Sequence, residues 1–242
     1  MTGPAVSPAP VLVAHGTRSR AGVDTVAALA DAVAARVGAV RTAFVDVLGP
    51  SPAEVLSDLT GPAVLVPAFL ASGYHVHTDV PREVAASGHR RVTVTRALGP
   101  DPALARILEY RLRESGWYPG DSVVLAAAGS SDPRARHDVR RAAAMLAARV
   151  RRDVPVGYIA TGSPTVADAV QTLRAAGEER VFVASYLLAP GHFHTRLADA
   201  GADGIAAPLG AHDAIADLVA QRYRRAAISS RTPPAARRST VP

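Results

Sequence analysis

Short runs of apolar residues alternate with stretches in which apolar residues recur every three or four positions. Val11 to Ala14 form one such run, and Val23, Val26, Ala30 and Val33 recur behind it at helical spacing. The first pattern indicates a buried strand and the second an amphipathic helix. In the first half of the chain the pattern predicts strands at 11–14, 43–48, 63–70 and 91–95, with helices at 23–34, 50–59, after 78–81 and at 104–113.

The second half of the chain repeats this order. Strands are predicted at 123–127, 155–160 and 181–187, with a weak fourth strand near 204–207, and helices at 136–149, 166–175 and 211–224. Strands that alternate with helices favour right-handed crossovers and a parallel sheet. We therefore predict an α/β protein of two similar domains, each a four-stranded parallel sheet flanked by helices. These domains are expected at 11–115 and 121–226, with a linker near 115–120, a disordered leader at 1–10 and a disordered tail at 227–242.

The two halves also correspond residue by residue. The segment Val64–Leu70, with His75 and His77 behind it, returns as Val181–Leu187 with His192 and His194, at a constant separation of 117 residues. A constant separation over a strand and the loop that follows it indicates an internal duplication.

Two residues capable of chemistry occur in the first copy alone. His15 follows the first predicted strand, and Ala128 stands at the corresponding position of the second copy. Asp46 lies at the end of the second predicted strand, and Ala160 corresponds to it. We therefore predict that the chemistry lies mainly in the first copy, while the second copy supplies the opposite wall of a cleft.

The amino-acid composition limits the kinds of site that the chain can form. The chain of 242 residues contains no cysteine, which excludes disulfides, thiolate ligands and a cysteine nucleophile. A metal site must then use imidazole and carboxylate groups. No apolar run approaches the roughly 18 residues of a membrane span, and the start of the chain lacks the pattern of a signal peptide. We therefore expect a soluble, cytoplasmic protein with no membrane partner.

The charge of the chain suits an anionic small molecule better than a nucleic acid. The formal net charge is +6, and every residue in the Lys and Arg count is an arginine. Several arginines fall within 222–238, without the interleaved aromatic residues that favour nucleic-acid binding. No nucleic-acid partner is therefore predicted.

Three candidate side chains converge on one edge of the first predicted sheet. His15 follows the first strand, Asp46 ends the second, and His75 lies in the loop after the third. In an open parallel sheet, ligands bind beyond the carboxyl ends of the strands. Two imidazoles and one carboxylate suit a divalent ion such as iron, cobalt, nickel or zinc.

Each candidate also has a purely structural interpretation. His15 before a glycine is typical of a hydrogen-bonded turn, and Asp46 is placed to cap the next helix. His75 fits an exposed loop. Two interpretations also stand for His192 and His194: they face the same cleft from the second copy, or they are relics of the duplication.

The same residues carry a resemblance to a known family. The segments Val13-Ala14-His15-Gly16-Thr17-Arg18 and Phe44-Val45-Asp46, with the pattern Gly-x-His-Val-x-x-Asp-Val-Pro at 73–81, resemble the sirohydrochlorin chelatases of the class II chelatase superfamily. The resemblance covers nearly the whole chain, as in the long members of this family, which are two fused copies of a short one. It implies two chelatase-like domains with a cleft between them. It also implies insertion of a divalent metal into sirohydrochlorin, on the way to siroheme or cobalamin.

The resemblance implies roles for three residues. His15 and His75 match the two metal-site histidines of the family, and Asp46 stands where the family usually has glutamate. On this basis His15 and His75 hold the incoming metal, and one imidazole takes a pyrrole proton. Asp46 would orient an imidazole or receive a proton.

The resemblance also implies how substrate is bound. Sirohydrochlorin carries many carboxylates, which arginine binds through charge-assisted hydrogen bonds. We expect Thr17, Arg18 and Arg20 to bind them, with His192 and His194 on the opposite wall. No permanently bound cofactor is expected, because the divalent metal is a substrate: Fe²⁺ is favoured, and Co²⁺ or Ni²⁺ are alternatives. A monomer suffices, since the fusion supplies both walls of the cleft.

Rival functions stay open at this point. A histidine phosphatase also places His-Gly after its first strand, but its motif has arginine before the histidine, and Ala14 stands there. A metal or tetrapyrrole carrier would use the same site without turnover. Among the chelatases, the resemblance favours the ferrochelatase of siroheme synthesis over a cobaltochelatase, because the full residue set lies in the amino-terminal copy and this looks like the siroheme-type arrangement of the family.

Overall fold

The computed structural model describes residues 7–229, and the first repeat within them forms one parallel sheet. Its elements are β1 (Ala9–Ala14), α1 (Arg20–Val37), β2 (Arg41–Phe44), α2 (Pro52–Ser57), β3 (Ala63–Pro67), α3 (Val80–Ala86), β4 (Val92–Val94) and α4 (Pro102–Glu114). The strands lie in the order β2-β1-β3-β4, and all neighbouring pairs are parallel.

The second repeat forms a sheet of the same topology. Its elements are β5 (Ser122–Gly129), α5 (Pro133–Val150), β6 (Val156–Thr161), α6 (Val166–Ala175), β7 (Val181–Tyr186), α7 (His192–Thr195), β8 (Gly204–Ile205) and α8 (Asp213–Ser229). The strand order is β6-β5-β7-β8, again parallel throughout. The predicted fold of two four-stranded parallel sheets flanked by helices is confirmed.

Side chains encoded next to the helices determine where several of them begin. Ser51 and Glu54 form a capping box at the start of α2, and Thr165 and Asp168 form another at α6. These side chains satisfy backbone groups that have no partner within the helix. Local sequence therefore fixes the residues at which these helices begin.

The last helix of each repeat packs on the other repeat. α4 contacts β7 and α5, whereas α8 contacts β3 and α1. Ion pairs accompany both contacts: Glu109 of α4 lies 2.6 Å from Arg149 of α5, and Arg36 of α1 lies 2.9 Å from Asp213 of α8. The largest cluster of buried apolar side chains accordingly contains residues of both sheets. The two repeats therefore share the largest core cluster, and each repeat has a further buried cluster of its own.

The ordered fold extends into both predicted terminal segments. Ala9 and Pro10 belong to β1, where Ala9 pairs with Ala63 of β3, so the fold begins within the predicted leader. α8 continues to Ser229 and includes the first residues of the predicted tail. The rest of the leader and tail, 1–6 and 230–242, lies outside the described residues. No helix between residues 7 and 229 is long and apolar enough to span a membrane.

The second strand differs from its prediction. β2 ends at Phe44 rather than at Leu48, because the chain turns across the loop that follows β1. The N–H of Asp46 donates to the His15 carbonyl oxygen at 2.9 Å, and Val47 adopts a φ of 67°. Asp46 is therefore a loop residue beyond the strand, and the apolar stretch 45–48 is not part of the sheet.

Candidate active site

The loops that follow the strands of both sheets enclose a cleft of about 860 Å³. It lies beyond the carboxyl ends of the strands, as expected for an open parallel sheet. Seven of the eight candidate residues line it, namely His15, Thr17, Arg18, Asp46, His75, His192 and His194. Arg20 does not line it, and its guanidinium group lies 4.0 Å from Asp24 on the surface of α1.

His15 and His75 meet in this cleft. Their ring centroids are 4.5 Å apart, and their ring planes are inclined by 83°. His75 also stacks on Phe69, with centroids 5.9 Å apart. Because β1 and β3 are neighbours in the sheet, the loops at their carboxyl ends bring the two imidazoles to one point.

A buried carboxylate that was not predicted from the sequence holds His75. A π-helical turn over His75–Asp79 precedes α3 and places Asp79 Oδ2 2.7 Å from His75 Nδ1. Asp79 is 6% exposed, and its Oδ1 lies 3.1 Å from Arg82. An ionised carboxylate only accepts hydrogen bonds, so Nδ1 of His75 donates and Nε2 keeps a lone pair. The available signal was the i,i+4 spacing of His75 and Asp79 at the start of a helix.

Asp46 lines the cleft but uses its carboxylate locally. Its Oδ1 accepts from the N–H of Val47 at 2.8 Å. Its backbone crosses the loop after β1 so closely that a Cβ on Gly16 would lie 1.9 Å from the Asp46 carbonyl oxygen. Ser51, not Asp46, caps α2, so the capping interpretation of Asp46 is wrong.

The predicted set of two imidazoles and one carboxylate is not assembled around a common point. Within residues 7–229, no three His, Cys, Asp or Glu side chains are grouped so that they could hold a metal ion. The pair of His15 and His75 is what the fold brings together. This pair leaves most coordination positions of a bound ion open.

Two arginines of the described residues line the cleft, one from each repeat. Arg18 follows β1 and was predicted, whereas Arg136, near the start of α5, was not. Neither guanidinium group makes a hydrogen bond or an ion pair with another residue of the described part of the chain. Arg134, which the duplication places in the matching loop, instead lies 2.9 Å from Asp132. This hydrogen bonding holds the pKa of Asp132 below its ordinary value.

The second repeat contributes histidines of two kinds. His194 is fixed, since its Nε2 lies 3.3 Å from the Ala206 carbonyl oxygen. His192 makes no side-chain hydrogen bond within residues 7–229 and lies beside Phe193, with ring centroids 6.2 Å apart. Both line the cleft, so they face it from the wall opposite His15.

Both repeats of the chain are similar in sequence to known proteins. The sequence model of a protein family described as CbiX matches the chain twice, over residues 9–115 and 122–226. A sirohydrochlorin ferrochelatase from Priestia megaterium is 26% identical over 175 residues. The aligned part covers 66% of this chain and 66% of that relative, just under two thirds of its length.

Solved structures share the fold. SirB from Bacillus subtilis with Fe³⁺ has a TM-score of 0.80 and 21% identity, over 93% of this chain and 98% of that chain. The sirohydrochlorin chelatase SirB from Bacillus subtilis subspecies spizizenii, in complex with cobalt, has a TM-score of 0.71 and 22% identity, over 93% and 97%. At these identities the likeness concerns the fold, and it extends over both repeats.

Proposed function

The chain belongs to the CbiX family, and from this premise we propose that it is a sirohydrochlorin ferrochelatase. The reaction inserts Fe²⁺ into sirohydrochlorin and gives siroheme and two protons. The observation that carries the proposal is the pair of imidazoles, His15 and His75, which meet in a cleft built by both repeats. The relative from Priestia megaterium is named for this activity.

The metal site suits an ion that must be delivered rather than kept. Imidazole is a good ligand for divalent iron, cobalt and nickel. Asp79 fixes the tautomer of His75 and leaves Nε2 available to the ion. Because no third acidic or imidazole side chain of residues 7–229 is placed to hold the same ion as this pair, the ion keeps open positions through which the ring nitrogens can take it over.

Insertion also requires that pyrrole N–H groups lose their protons. Nδ1 of His75 is engaged by Asp79, whereas Nδ1 of His15 is hydrogen-bonded to the Gly16 carbonyl oxygen at 3.2 Å. We assign His15 as the base that takes the two pyrrole protons one after the other, as the ion leaves its Nε2 for the ring nitrogens, because imidazole accepts protons near neutral pH. Asp46, exposed at the cleft, would pass each of these protons to solvent.

The cleft complements a macrocycle with an apolar ring and an anionic periphery. Arg18 and Arg136 offer guanidinium groups from opposite walls. The Thr17 hydroxyl accepts from a backbone N–H at 3.1 Å and can donate to a carboxylate. Phe193, 41% exposed, supplies aromatic surface, and His192 beside it supplies a further donor.

Fe²⁺ is the favoured metal, because His15, His75 and Asp46 all lie in the first repeat, which resembles the siroheme-type arrangement of the family. Co²⁺ and Ni²⁺ are the alternatives, since the general order of metal affinities does not set selectivity. The proposal requires no permanently bound cofactor. We propose a monomer, because one chain supplies both walls of the cleft. We also propose that the protein is cytoplasmic and acts on neither a membrane nor a nucleic acid.

Purified protein mixed anaerobically with sirohydrochlorin and Fe²⁺ tests the proposal. We expect the spectrum of the metal-free macrocycle to disappear faster than in the uncatalysed reaction, over many turnovers. A change that stops at one equivalent per protein would indicate a carrier. The same assay with Co²⁺ compares kcat/KM for the two metals, and a higher value for Co²⁺ would identify a cobaltochelatase.

Histidine variants locate the site in the same assay. His15→Ala and His75→Ala are each expected to abolish most insertion, because each removes one of two ligands. His192→Ala is expected to be milder. The measurement is kcat/KM for Fe²⁺, with circular dichroism to verify folding. A larger loss in His192→Ala than in the first-repeat variants would contradict the assignment.

A further inference from the structure

The segment that leads to His75 is held by the second repeat. We call residues 70–73, between β3 and His75, the histidine loop. The Tyr186 hydroxyl, at the end of β7, donates to the Leu70 carbonyl oxygen at 2.7 Å. Oδ2 of Asp138, on α5, accepts from the N–H of Ser72 at 2.9 Å. Both bonds join a second-repeat side chain to first-repeat backbone.

These two anchors lie in the interior. Tyr186 is 3% exposed, and the side chain of Asp138 is 13% exposed. Burial, followed by the negative charge of Asp138, raises the pKa of Tyr186, so its hydroxyl stays protonated and donates. The histidine loop also packs closely on α5, since a Cβ on Gly73 would lie 3.2 Å from Cβ of Ala135.

The residue of the first repeat that corresponds to Asp138 makes no equivalent hydrogen bond to the second repeat. The buried faces of α1 and α5 correspond, with Val26 matching Val139, and this register pairs Asp138 with Thr25. The Thr25 hydroxyl donates within its own helix, to the Ala21 carbonyl oxygen at 2.7 Å. Thr25 and Asp138 therefore occupy equivalent positions, but of these two residues only Asp138 hydrogen-bonds the other repeat.

Tyr186 shows the same asymmetry. Its counterpart at the 117-residue separation is Phe69, which has no hydroxyl and stacks on His75. Among the described residues, no first-repeat side chain hydrogen-bonds the backbone of 187–190, the loop that corresponds to the histidine loop. The repeats have therefore diverged in complementary ways: the first keeps the ligands, and the second keeps the anchors of a ligand loop.

We infer that Asp138 and Tyr186 are positioning residues for the metal site, which fix the histidine loop and thereby the place of His75 relative to His15. The inference rests on the proposed function, since it takes the two imidazoles as the metal ligands. It gives the second repeat a role in metal binding besides forming a wall. Without the anchors, only part of the population has His75 in place, and the apparent affinity for the ion falls by that fraction.

Co²⁺ titration of the protein without macrocycle, followed by the visible absorption of the bound ion, tests the inference. Tyr186→Phe and Asp138→Ala are each expected to weaken Co²⁺ binding by about tenfold, the lower end of the effect seen for groups that support metal ligands. Asp138→Asn keeps an acceptor oxygen for the Ser72 N–H and is expected to restore most of the affinity. A purely structural role would not give this rescue in Co²⁺ affinity.

Two control variants match these changes. Tyr223→Phe also removes a hydroxyl that donates to a backbone carbonyl, that of Pro8 at 2.6 Å, but far from the histidine loop. Arg141→Ala removes the ion-pair partner of Asp138, at 3.8 Å, and leaves the bond to Ser72. Both controls are expected to bind Co²⁺ within about twofold of the unaltered chain, because the Tyr223 hydroxyl bonds Pro8 rather than the histidine loop and the ion pair of the exposed Arg141 contributes little.

The outcomes separate the inference from the proposed function. If His15→Ala and His75→Ala bind Co²⁺ like the unaltered chain, the proposed site itself fails. If those variants lose Co²⁺ while Tyr186→Phe and Asp138→Ala bind like the two controls, the positioning role is excluded and the proposed function stands. Tyr186→Phe removes a single oxygen atom, so it keeps the test decisive where Asp138→Ala fails to fold.

Discussion

His15 and His75 meet edge to face but are supported in different ways. His75 is held by Asp79, which is itself paired with Arg82, whereas the only hydrogen-bond partner of the His15 ring among residues 7–229 is the adjoining Gly16 carbonyl oxygen. A carboxylate behind a ligating imidazole fixes its tautomer and raises its affinity for metal. His75 is therefore the fixed ligand of the pair, and His15 is the one able to exchange metal for a proton.

Asp79→Ala is expected to weaken Co²⁺ binding by about 10- to 100-fold, because His75 loses the acceptor that fixes its Nδ1–H. Asp79→Asn keeps an acceptor oxygen but no charge, so its Co²⁺ affinity is expected to lie between those of Asp79→Ala and the unaltered chain. The measurements are the Kd for Co²⁺ without macrocycle and kcat for insertion.

Arg82→Ala is the control for this pair of variants. Arg82 is 60% exposed and contacts Asp79. Because exposed ion pairs contribute little, Co²⁺ affinity within about threefold of the unaltered chain is expected. Equal losses in Asp79→Ala and Arg82→Ala would show that the carboxylate serves the helix rather than the imidazole.

Arg136→Gln is expected to raise the KM for sirohydrochlorin roughly tenfold and to change kcat little, since a hydrogen bond to a charged group contributes about 1.5–3 kcal/mol. Arg134→Gln is the matched control, because Arg134 lies on the same helix but is tied to Asp132. Higher ionic strength is expected to reduce the effect of Arg136→Gln. Equal KM values for the two variants would exclude Arg136 from substrate binding.

The convergence of His15 and His75 could be predicted because the carboxyl ends of neighbouring parallel strands meet at one edge of the sheet. The contact of Asp79 with His75 was not predicted: the i,i+4 spacing is compatible with it, but the contact depends on a π-helical turn that the hydrophobic pattern does not indicate. The sequence also did not indicate which of Arg134 and Arg136 faces the cleft. They are separated by about 200° around the axis of α5, and only the packing of that helix decides which of them faces the cleft.

Among the elements, the loop after β2 is where the hydrophobic pattern was a poor guide. Most strands and helices follow from their apolar spacing, but Val45 to Leu48 look like a continuation of β2 and are not. The chain crosses Gly16 there, at a φ of 99°, with the Asp46 carbonyl oxygen where a Cβ would stand. A residue without Cβ allows this crossing, and the crossing brings Asp46 to the cleft beside His15.

Gly16→Ala is expected to lower the thermal midpoint and to remove most Co²⁺ binding, because the new Cβ overlaps the Asp46 carbonyl oxygen. Gly38→Ala is the control, since Gly38 also has a positive φ, 88°, and a Cβ added there would meet no other atom within 4 Å. Both substitutions carry backbone strain of about 1–3 kcal/mol. The difference in Co²⁺ affinity therefore reports the overlap, and equal affinities would contradict the crossing as a determinant of the site.

In the whole molecule, the last helix of each sequence repeat packs on the sheet of the other repeat. α4 is encoded in the first repeat and packs on β7 and α5, while α8 is encoded in the second and packs on β3 and α1. Periodicity predicts that each helix has an apolar face, but it does not say which sheet covers that face. Each sheet is therefore completed by a helix from the other repeat.

This exchange predicts that neither fragment 1–115 nor fragment 116–242 folds alone as a monomer. Alone, fragment 1–115 would expose the faces of β3 and α1 that α8 covers, at a cost of about 25 cal/mol for each Å² of apolar surface. Co-expressed fragments are expected to form a 1:1 complex with the 25.0 kDa mass of the intact chain, measured by light scattering after gel filtration. Fragment 1–115 by itself is expected to be unfolded, or dimeric through mutual exchange of α4. A monomeric fragment with a cooperative thermal transition would contradict the shared core, because such a fragment would have to cover both faces with α4 alone.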